Sequence, residues 1–368
     1  MLCVSCGYME ESNFLESLNE PGRSSEPWWD EAWEYRRILT IDNSGQGTAL
    51  ANFPVLVRLN SSRINYNSVQ NNGEDLRFID NDGTTELDYE IEIWNESGES
   101  IVWIEVPQVD ASSATDYIVM YYGNNTAPAG ENAQGVWDNN FEFVWHMGEQ
   151  PGGSGDIRDS TANNMDGSTL NMEAADRTGG FMGYGLDLDG TDEWIDPVDN
   201  GNGIFHDTFT IKTVEICFRA DNTANDQSLF DEGGSTNGFW IGLNSNAVRV
   251  DSRDSSSQIT VSSAFTDTSN FYYIVGKFDN GTLYKYVNGL EQSAATGYSG
   301  GEISSHSGMP GFGASADSDG AGHSVAGYYF NGILDEIRFS SSARSSDWIQ
   351  AQSMSLNGTY ITFGSEED

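Results

Sequence analysis

Lysine is scarce in this sequence. Only Lys212, Lys277 and Lys285 are lysines among 16 basic residues, which stand against 57 acidic ones. The formal net charge is therefore −41 at pH 7, and the sequence pI is near 4.1. Nucleic-acid binding depends on clustered Lys and Arg, so we predict no nucleic-acid partner. The same charge disfavours docking onto an anionic bilayer.

The sequence also has no long apolar run and only three cysteines. No stretch approaches the roughly 18–20 uncharged apolar residues of a transmembrane helix, so we predict no transmembrane segment. Three cysteines do not make a disulfide scaffold, and Cys217, in an alternating apolar run, is expected to be a buried thiol. Hydrophobic residues still make up 37% of the chain and aromatic residues 12%, which is enough for a folded core.

The first 26 residues are polar, carry no clear period and are predicted to form an arm or linker. Within them Val4-Ser5-Cys6-Gly7 resembles the end of a bacterial lipoprotein signal, which would make Cys6 the lipidated residue. The alternative is a chance string of small residues before a cysteine. Cys3 and Cys6 form a single C-x-x-C with no second pair, so they supply only half of a zinc site. We expect a secreted or cell-surface protein.

The remaining sequence has the pattern of an all-β protein. Short alternating runs, rich in β-branched and aromatic residues, recur between clusters of Gly, Asn, Asp and Ser. Many short strands at such spacing are typical of sandwiches and jelly rolls. One short helix is predicted, capped by Ser345 and running through Trp348 and Gln352. The predicted divisions are an arm at 1–26, a β-sandwich at 27–125, a linker at 126–140 and a jelly roll at 141–368.

The first β domain resembles an uncharacterised family. The resemblance begins at Pro27-Trp28-Trp29-Asp30 and Tyr35-Arg36-Arg37 and continues through Asp75-Leu76-Arg77-Phe78 and Tyr121-Tyr122-Gly123. These residues are similar to a β-rich domain of secreted and periplasmic proteins of bacteria and archaea, some of which are found with MotA/TolQ/ExbB-type proton channels. That family has no assigned activity, so the resemblance implies a fold alone.

The second domain resembles the laminin-G-like, concanavalin A-like jelly roll. The matching segments are Leu186-Asp187-Leu188-Asp189-Gly190 and Gly332-Ile333-Leu334-Asp335-Glu336-Ile337-Arg338. Jelly rolls of this group often hold a structural calcium near the turn after the first long strand and the last strand. The resemblance therefore implies Ca²⁺ ligands at Asp189, Asp192 and Asp335. The alternative is that Asp189 and Asp192 belong to an ordinary hairpin turn.

Aromatic side chains on the strands of the second domain are candidates for glycan binding, because sugar C–H faces stack on rings. The candidates are Trp240, Tyr272 and Tyr273. The alternative for each is a place in the hydrophobic core.

Catalytic patterns are weak. Glucanases of this fold carry an E-x-D-x-x-E strand. The nearest string, Glu90-Ile91-Glu92, lies in the other domain and lacks the central Asp. Alternation still places the carboxylates of Glu90 and Glu92 on one face of their strand. Alternation also points Asp335 and Glu336 to opposite faces of their strand. His146 is interpreted as a packed or hydrogen-bonded histidine at the edge of the core. We predict no enzyme.

The leading hypothesis is a non-enzymatic extracellular or cell-surface protein that functions in adhesion or carbohydrate binding and is stabilised by calcium. Its partner would be a glycan or surface polymer. The fold also hosts purely structural modules. An alternative is therefore a structural subunit of an extracellular filament, sheath or surface layer, in which the arm joins copies of the chain by strand addition. A lesser alternative is a glycan hydrolase acting through Glu90, Glu92 or Glu336.

Overall fold

The computed structural model describes residues 27–197, 203–234, 236–255, 257–297, 301–315 and 327–368. The N-terminal arm and Cys6 lie outside these residues. The described chain is all-β with two short α-helices, as the alternating pattern predicts. No helix in the described ranges is long and apolar enough to cross a membrane.

The first domain is a sandwich of two antiparallel sheets. One sheet has the strand order β2-β5-β4, and the other contains β1-β6-β3. Leu39, Phe53, Val57, Ile104 and Ile118 are among the fully buried side chains between them. The strands are β1 (Tyr35–Ile41), β2 (Leu50–Leu59), β3 (Arg77–Asp80), β4 (Tyr89–Ile93), β5 (Ser100–Val109) and β6 (Asp116–Tyr122), with a 3₁₀ turn at Tyr66–Ser68. The helix α1 (Ala133–Val136) follows in the predicted linker.

The second domain is a jelly roll of two larger sheets. Its strands are β7 (Phe141–Trp145), β8 (Gly167–Leu170), β9 (Arg177–Gly179), β10 (Tyr184–Asp189), β11 (Trp194–Pro197), β12 (Ile211–Ala220), β13 (Gln227–Gly233), β14 (Gly238–Leu243), β15 (Ala247–Asp254), β16 (Ser257–Ala264), β17 (Tyr272–Asp279), β18 (Thr282–Val287), β19 (Leu290–Thr296), β20 (Gly311–Phe312) and β21 (Asn331–Ser340). The eight-stranded sheet has the order β19-β18-β17-β12-β21-β10-β9, with β7 also paired to β21. The seven-stranded sheet has the order β16-β15-β14-β13-β20-β11-β8. Phe143, Ile216, Phe230 and Phe339 pack in the core between the sheets.

The C-terminal segment returns to the first domain, which corrects the predicted extent of the jelly roll. The predicted helix is confirmed as α2 (Ser346–Leu356), capped by the Ser345 hydroxyl. Trp348 packs edge-on against Phe53 of β2, with ring centroids 4.8 Å apart. The last strand, β22 (Ile361–Glu367), pairs with β1 and completes its sheet. Strand β1 would otherwise present an unpaired edge.

The two domains share a continuous buried core. Cys217, Tyr273 and Val275 lie on the face of the eight-stranded sheet that points away from the jelly-roll core. They belong to the same buried cluster as Trp103 of β5 and the interior of the first sandwich. Cys217 is a buried free thiol, as predicted. The contact between the domains is therefore a packed interface, and the polar groups buried within it are held by both domains.

Candidate functional site

A cluster of buried ionisable side chains lies where β4 of the first domain meets the eight-stranded sheet. His146, the residue after β7, is at its centre. Its Nδ1 atom is 2.7 Å from Oε1 of Glu336 and 3.5 Å from Oε2 of Glu92. Its Nε2 atom is 3.2 Å from Oε2 of Glu90. One imidazole therefore contacts three carboxyl groups from two domains.

Both glutamates of β4 reach this cluster from one side of the strand, and a register shift lies between Ile91 and Ile93. Tyr89 is buried in the first-domain core, whereas Glu90 pairs with Trp103 and points toward the jelly roll. The Nε1–H group of Trp103 donates a hydrogen bond to Oε2 of Glu92 at 2.8 Å. The expectation that Glu90 and Glu92 share one face is confirmed.

A β-bulge brings Glu336 to the same side of its strand as Asp335. Glu215 of β12 pairs with Arg338, and Cys217 pairs with Asp335, so three steps along β21 match two along β12. Glu336 has a φ of +47°, which accommodates the extra residue. The expectation that Asp335 and Glu336 point to opposite faces is wrong, because a bulge breaks simple alternation.

Neighbouring donors hold the outer atoms of the cluster. Ser160 and Trp137 donate hydrogen bonds to the two oxygens of Glu90. The guanidinium of Arg338 forms a buried ion pair with Glu336 and lies 4.5 Å above the ring of Trp103. These contacts fix the carboxyl groups in place, because each bond directs one particular oxygen.

The ionisation of the cluster is uneven. Burial alone would lower the pKa of His146, but the charges of Glu336, Glu90 and Glu92 outweigh it and raise that pKa well above its ordinary value. Burial opposes ionisation of Glu90 and Glu336 too, yet the charge of His146 prevails and their pKa values are lowered. Burial, followed by the charge of Glu336, raises the pKa of Glu92 to about 8 and that of Asp335 well above its ordinary value. The shifts thus favour the neutral forms of Glu92 and Asp335 beside the ionised forms of Glu90 and Glu336.

A cleft of about 370 Å³ opens beside the cluster, with walls from both domains. Tyr184 is 42% exposed, and the guanidinium carbon of Arg177 lies 3.5 Å from the centre of its ring. The residues that line the cleft include Glu90, Glu92, Ile93, Arg158, Arg177 and Tyr184. The cleft therefore combines carboxyl groups, guanidinium groups and one aromatic ring.

The structure corrects two of the predicted glycan-binding residues. Trp240 is completely buried, and its Nε1–H group donates to a serine hydroxyl at 2.7 Å. Tyr273 is buried in the interdomain core and donates to Glu215. Tyr272 is partly buried, packs against Phe265 and lines a different cavity from the junction cleft. Strand aromatics in a two-sided sheet are covered on both faces, which is why alternation alone did not reveal their burial.

The three predicted calcium ligands do not meet. Asp189 pairs with Asn331, so Asp335 lies four positions further along β21, a distance of about 13 Å. The carboxylate of Asp189 accepts the Thr191 amide hydrogen within its own turn, and the carbonyl of Asp192 accepts from an asparagine side chain. The donor set that we predicted therefore does not fit one Ca²⁺ ion, and stabilisation of the chain by calcium stays a prediction.

Comparison with known proteins supports both domains. Residues 72–146 match a family model described as a domain of unknown function, DUF2341. Residues 189–350 match Laminin_G_3, the concanavalin A-like lectin/glucanases superfamily. Both resemblances and their order are confirmed. The described fold is thus a β-sandwich joined to a concanavalin A-like jelly roll. No curated protein sequence matches the chain.

Solved structures resemble the chain over part of its length. Domain 4 of AbnA, a GH43 extracellular arabinanase from Geobacillus stearothermophilus, in complex with arabinotriose, is 18% identical, with a TM-score of 0.42 over 57% of this chain and 97% of that chain. The binding domain of botulinum neurotoxin DC in complex with rat synaptotagmin II is 10% identical, with a TM-score of 0.43 over 60% of this chain. The chain spans about half of that toxin structure, at 52%. No function follows from either similarity.

Proposed function

We propose that this chain is a non-enzymatic carbohydrate-binding protein of the cell exterior that serves in adhesion, and that the junction cleft binds the glycan. The observation that carries the proposal is the composition of the cleft. A solvent-exposed ring, Tyr184, stands beside the carboxyl groups of Glu90 and Glu92. Binding pockets combine a few polar groups that fix orientation with apolar surface that contacts the body of the ligand.

Each group in the cleft has a counterpart in a sugar. Carboxylates accept hydrogen bonds from hydroxyl groups, and charged acceptors form stronger bonds than neutral ones. The guanidinium groups of Arg158 and Arg177 supply the matching donors, and Arg158 is 70% exposed. The Tyr184 ring offers an apolar face for C–H groups while its hydroxyl remains available to hydrogen-bond. A neutral or partly charged glycan fits this mixture.

The placement of the carboxyl groups supports binding without hydrolysis. A glycosidase needs two carboxyl groups that flank the scissile bond. Glu90 and Glu92 are on one face of β4, so they stand on the same wall of the cleft. Glu90 is also paired with His146 and holds two further hydrogen bonds, which leaves it poorly suited to attack a sugar carbon.

The location and the form of the assembly are also part of the proposal. A net charge of −41 keeps copies of the chain apart in solution, which suits a dispersed or surface-attached binding protein. Polymerisation through residues 1–26, which lie outside the described structure, stays a prediction. Whether the chain is dispersed or polymerised, its folded domains would bind the glycan or surface polymer.

A glycan array screened with the labelled full-length chain tests the proposal. For a glycan captured on the array, Tyr184→Ala should weaken affinity by about tenfold, equivalent to about 1.4 kcal/mol. Tyr272→Ala is the matched control, because Tyr272 is also a partly accessible tyrosine but lines another cavity. Loss of affinity in Tyr272→Ala with none in Tyr184→Ala would move the site to the surface predicted from the sequence. Capture of no glycan would contradict the proposed function.

A further inference from the structure

We propose that Glu92, His146 and Glu336 form a binding site for one divalent transition-metal ion, with Zn²⁺ as the best match to the donors. The site lies beneath the junction cleft and is shared by both domains. It goes beyond the proposed function and does not depend on it, because it is built from the geometry of three side chains.

The donor atoms are already near the spacing that an ion requires. Among the residues that the structure describes, these three form the one group whose His, Cys, Asp or Glu donor atoms all lie within 4.8 Å of one another. Nδ1 of His146 is 2.7 Å from Glu336 and 3.5 Å from Glu92. Zinc–ligand bonds of about 2.0–2.2 Å in tetrahedral geometry separate donor atoms by about 3.3–3.6 Å. Nδ1 of His146 and Oε1 of Glu336 would have to separate by about 0.6–0.9 Å to reach that spacing.

Each of the three ligand side chains already has a second partner of the kind that metal sites use. Nε2 of His146 faces Glu90. If His146 coordinated an ion through Nδ1, its Nε2–H group would donate a hydrogen bond to the Glu90 carboxylate. Arg338 holds the other oxygen of Glu336, and the Trp103 indole orients Glu92. Such second contacts normally orient metal ligands and raise their affinity.

One oxygen of the cluster is left available. The Glu92 side chain is only 4% exposed, and its Oε2 atom accepts from Trp103, but Oε1 has no hydrogen-bond partner within the described ranges. Glu92 also lines the cleft, whereas Glu336 lies deeper, so a bound ion would have protein on one side and the cleft on the other. Three protein ligands with one open position is the arrangement of zinc sites that accept a further ligand.

The donor types select the class of ion. Calcium takes six to eight oxygen ligands and rarely uses imidazole. One imidazole nitrogen with two carboxylate oxygens suits Zn²⁺, and next to it Mn²⁺ or Fe²⁺. The cluster contains four carboxyl groups, including Asp335, for the two basic side chains His146 and Arg338. A divalent cation would add two positive charges among these carboxyl groups.

Zinc titration of the metal-free full-length chain, followed by calorimetry and by metal analysis after dialysis, tests the site. We expect one Zn²⁺ per chain, no competition by millimolar Ca²⁺, and at least a 100-fold loss of affinity in Glu92→Gln and in His146→Gln. Glu149→Gln should bind as the wild type does, since Glu149 lines the same cleft but is not a ligand. The double variant Cys3→Ser/Cys6→Ser should also retain the ion, which excludes the C-x-x-C as its source.

Two further measurements keep the test decisive if a variant fails to fold. Saturating Zn²⁺ at about 100 times Kd should raise the Tm of the wild type by about 3–4 °C. X-ray absorption of the wild-type zinc form should show nitrogen and oxygen ligands without sulfur. Stoichiometric binding that survives in folded Glu92→Gln and His146→Gln, a sulfur ligand, or no binding by the wild type would overturn the proposal.

Discussion

Oε1 of Glu336 lies 2.7 Å from Nδ1 of His146, although the two residues are 190 positions apart in the sequence. His146 follows β7, Glu336 forms the bulge of β21, and the two strands pair at Ile337 and Trp145. The first domain closes over this pair with Glu90 and Glu92. The junction thus assembles a polar site that neither domain contains alone.

The interface predicts that the two domains unfold together. Trp348 follows the jelly roll in sequence but packs on Phe53 of the first domain. Trp348→Ala should lower the free energy of unfolding by about 3–5 kcal/mol, since it removes a large buried side chain. Urea denaturation followed by fluorescence and far-UV circular dichroism should show one coincident transition. Leu290→Ala, at a 58% exposed position, is the control and should change stability by less than about 0.5 kcal/mol. Two separate transitions in the wild type would contradict the shared core.

A buried ion pair in the jelly roll makes a second prediction. Lys212 and Glu232 are paired at almost zero exposure. Lys212→Met should destabilise the chain by about 3–5 kcal/mol, because it leaves the Glu232 carboxyl group buried without its cation. The double change Lys212→Met/Glu232→Leu should recover much of that loss. Chemical denaturation of the three proteins measures the coupling, and purely additive losses would show that the pair does not act as a unit.

His306 predicts a pH dependence of stability. Neither of its two buried ring nitrogens has a hydrogen-bond partner among the residues that the structure describes, and burial, then the charges of Lys212 and His206, lower its pKa to about 4. An unfolded histidine has a pKa of about 6.5, so between pH 6.5 and 4 the unfolded chain binds a proton that the folded chain does not. Stability should therefore fall as the pH decreases through this window.

His306→Leu isolates that contribution from the carboxyl groups that titrate nearby. After allowance for solvent screening, the variant should lose about 2 kcal/mol less stability than the wild type between pH 6.5 and 4. Urea denaturation at intervals across that range provides the comparison. Parallel stability curves for the two proteins would refute the assignment.

The cleft should bind a glycan without cleaving it. Incubation of a captured glycan with the chain should release no new reducing ends, since Glu90 and Glu92 share one wall of the cleft and Glu90 is held by His146, Ser160 and Trp137. Release of reducing ends that disappears in Glu92→Gln would instead show that the chain is a glycan hydrolase.

The sequence predicted the fold better than the site. Alternation and turn residues identified most strands and the helix after Ser345, because these signals are local. The pairing of β22 with β1 depends on contacts between the chain's two ends, which no local pattern records.

The site was missed for related reasons. The alternation around His146 was one signal that could have indicated the interdomain site. Phe143 and Trp145 face the jelly-roll core, so Val144 and His146 face the opposite side of the strand. Both are nevertheless buried, which shows that another part of the protein covers that side. Nothing in the sequence showed the bulge at Glu336. Tyr184 and the two arginines of the cleft lie in segments without a motif.

The most direct test of the account is the affinity of the captured glycan for variants on the two walls of the cleft. Glu90→Gln alters the wall from the first domain, and Tyr184→Ala alters the wall from the jelly roll. Both chains, checked for native melting temperature, should bind about tenfold more weakly than the wild type in isothermal titration. Wild-type affinity in both folded variants would show that the glycan binds elsewhere and that the junction cleft is not its site.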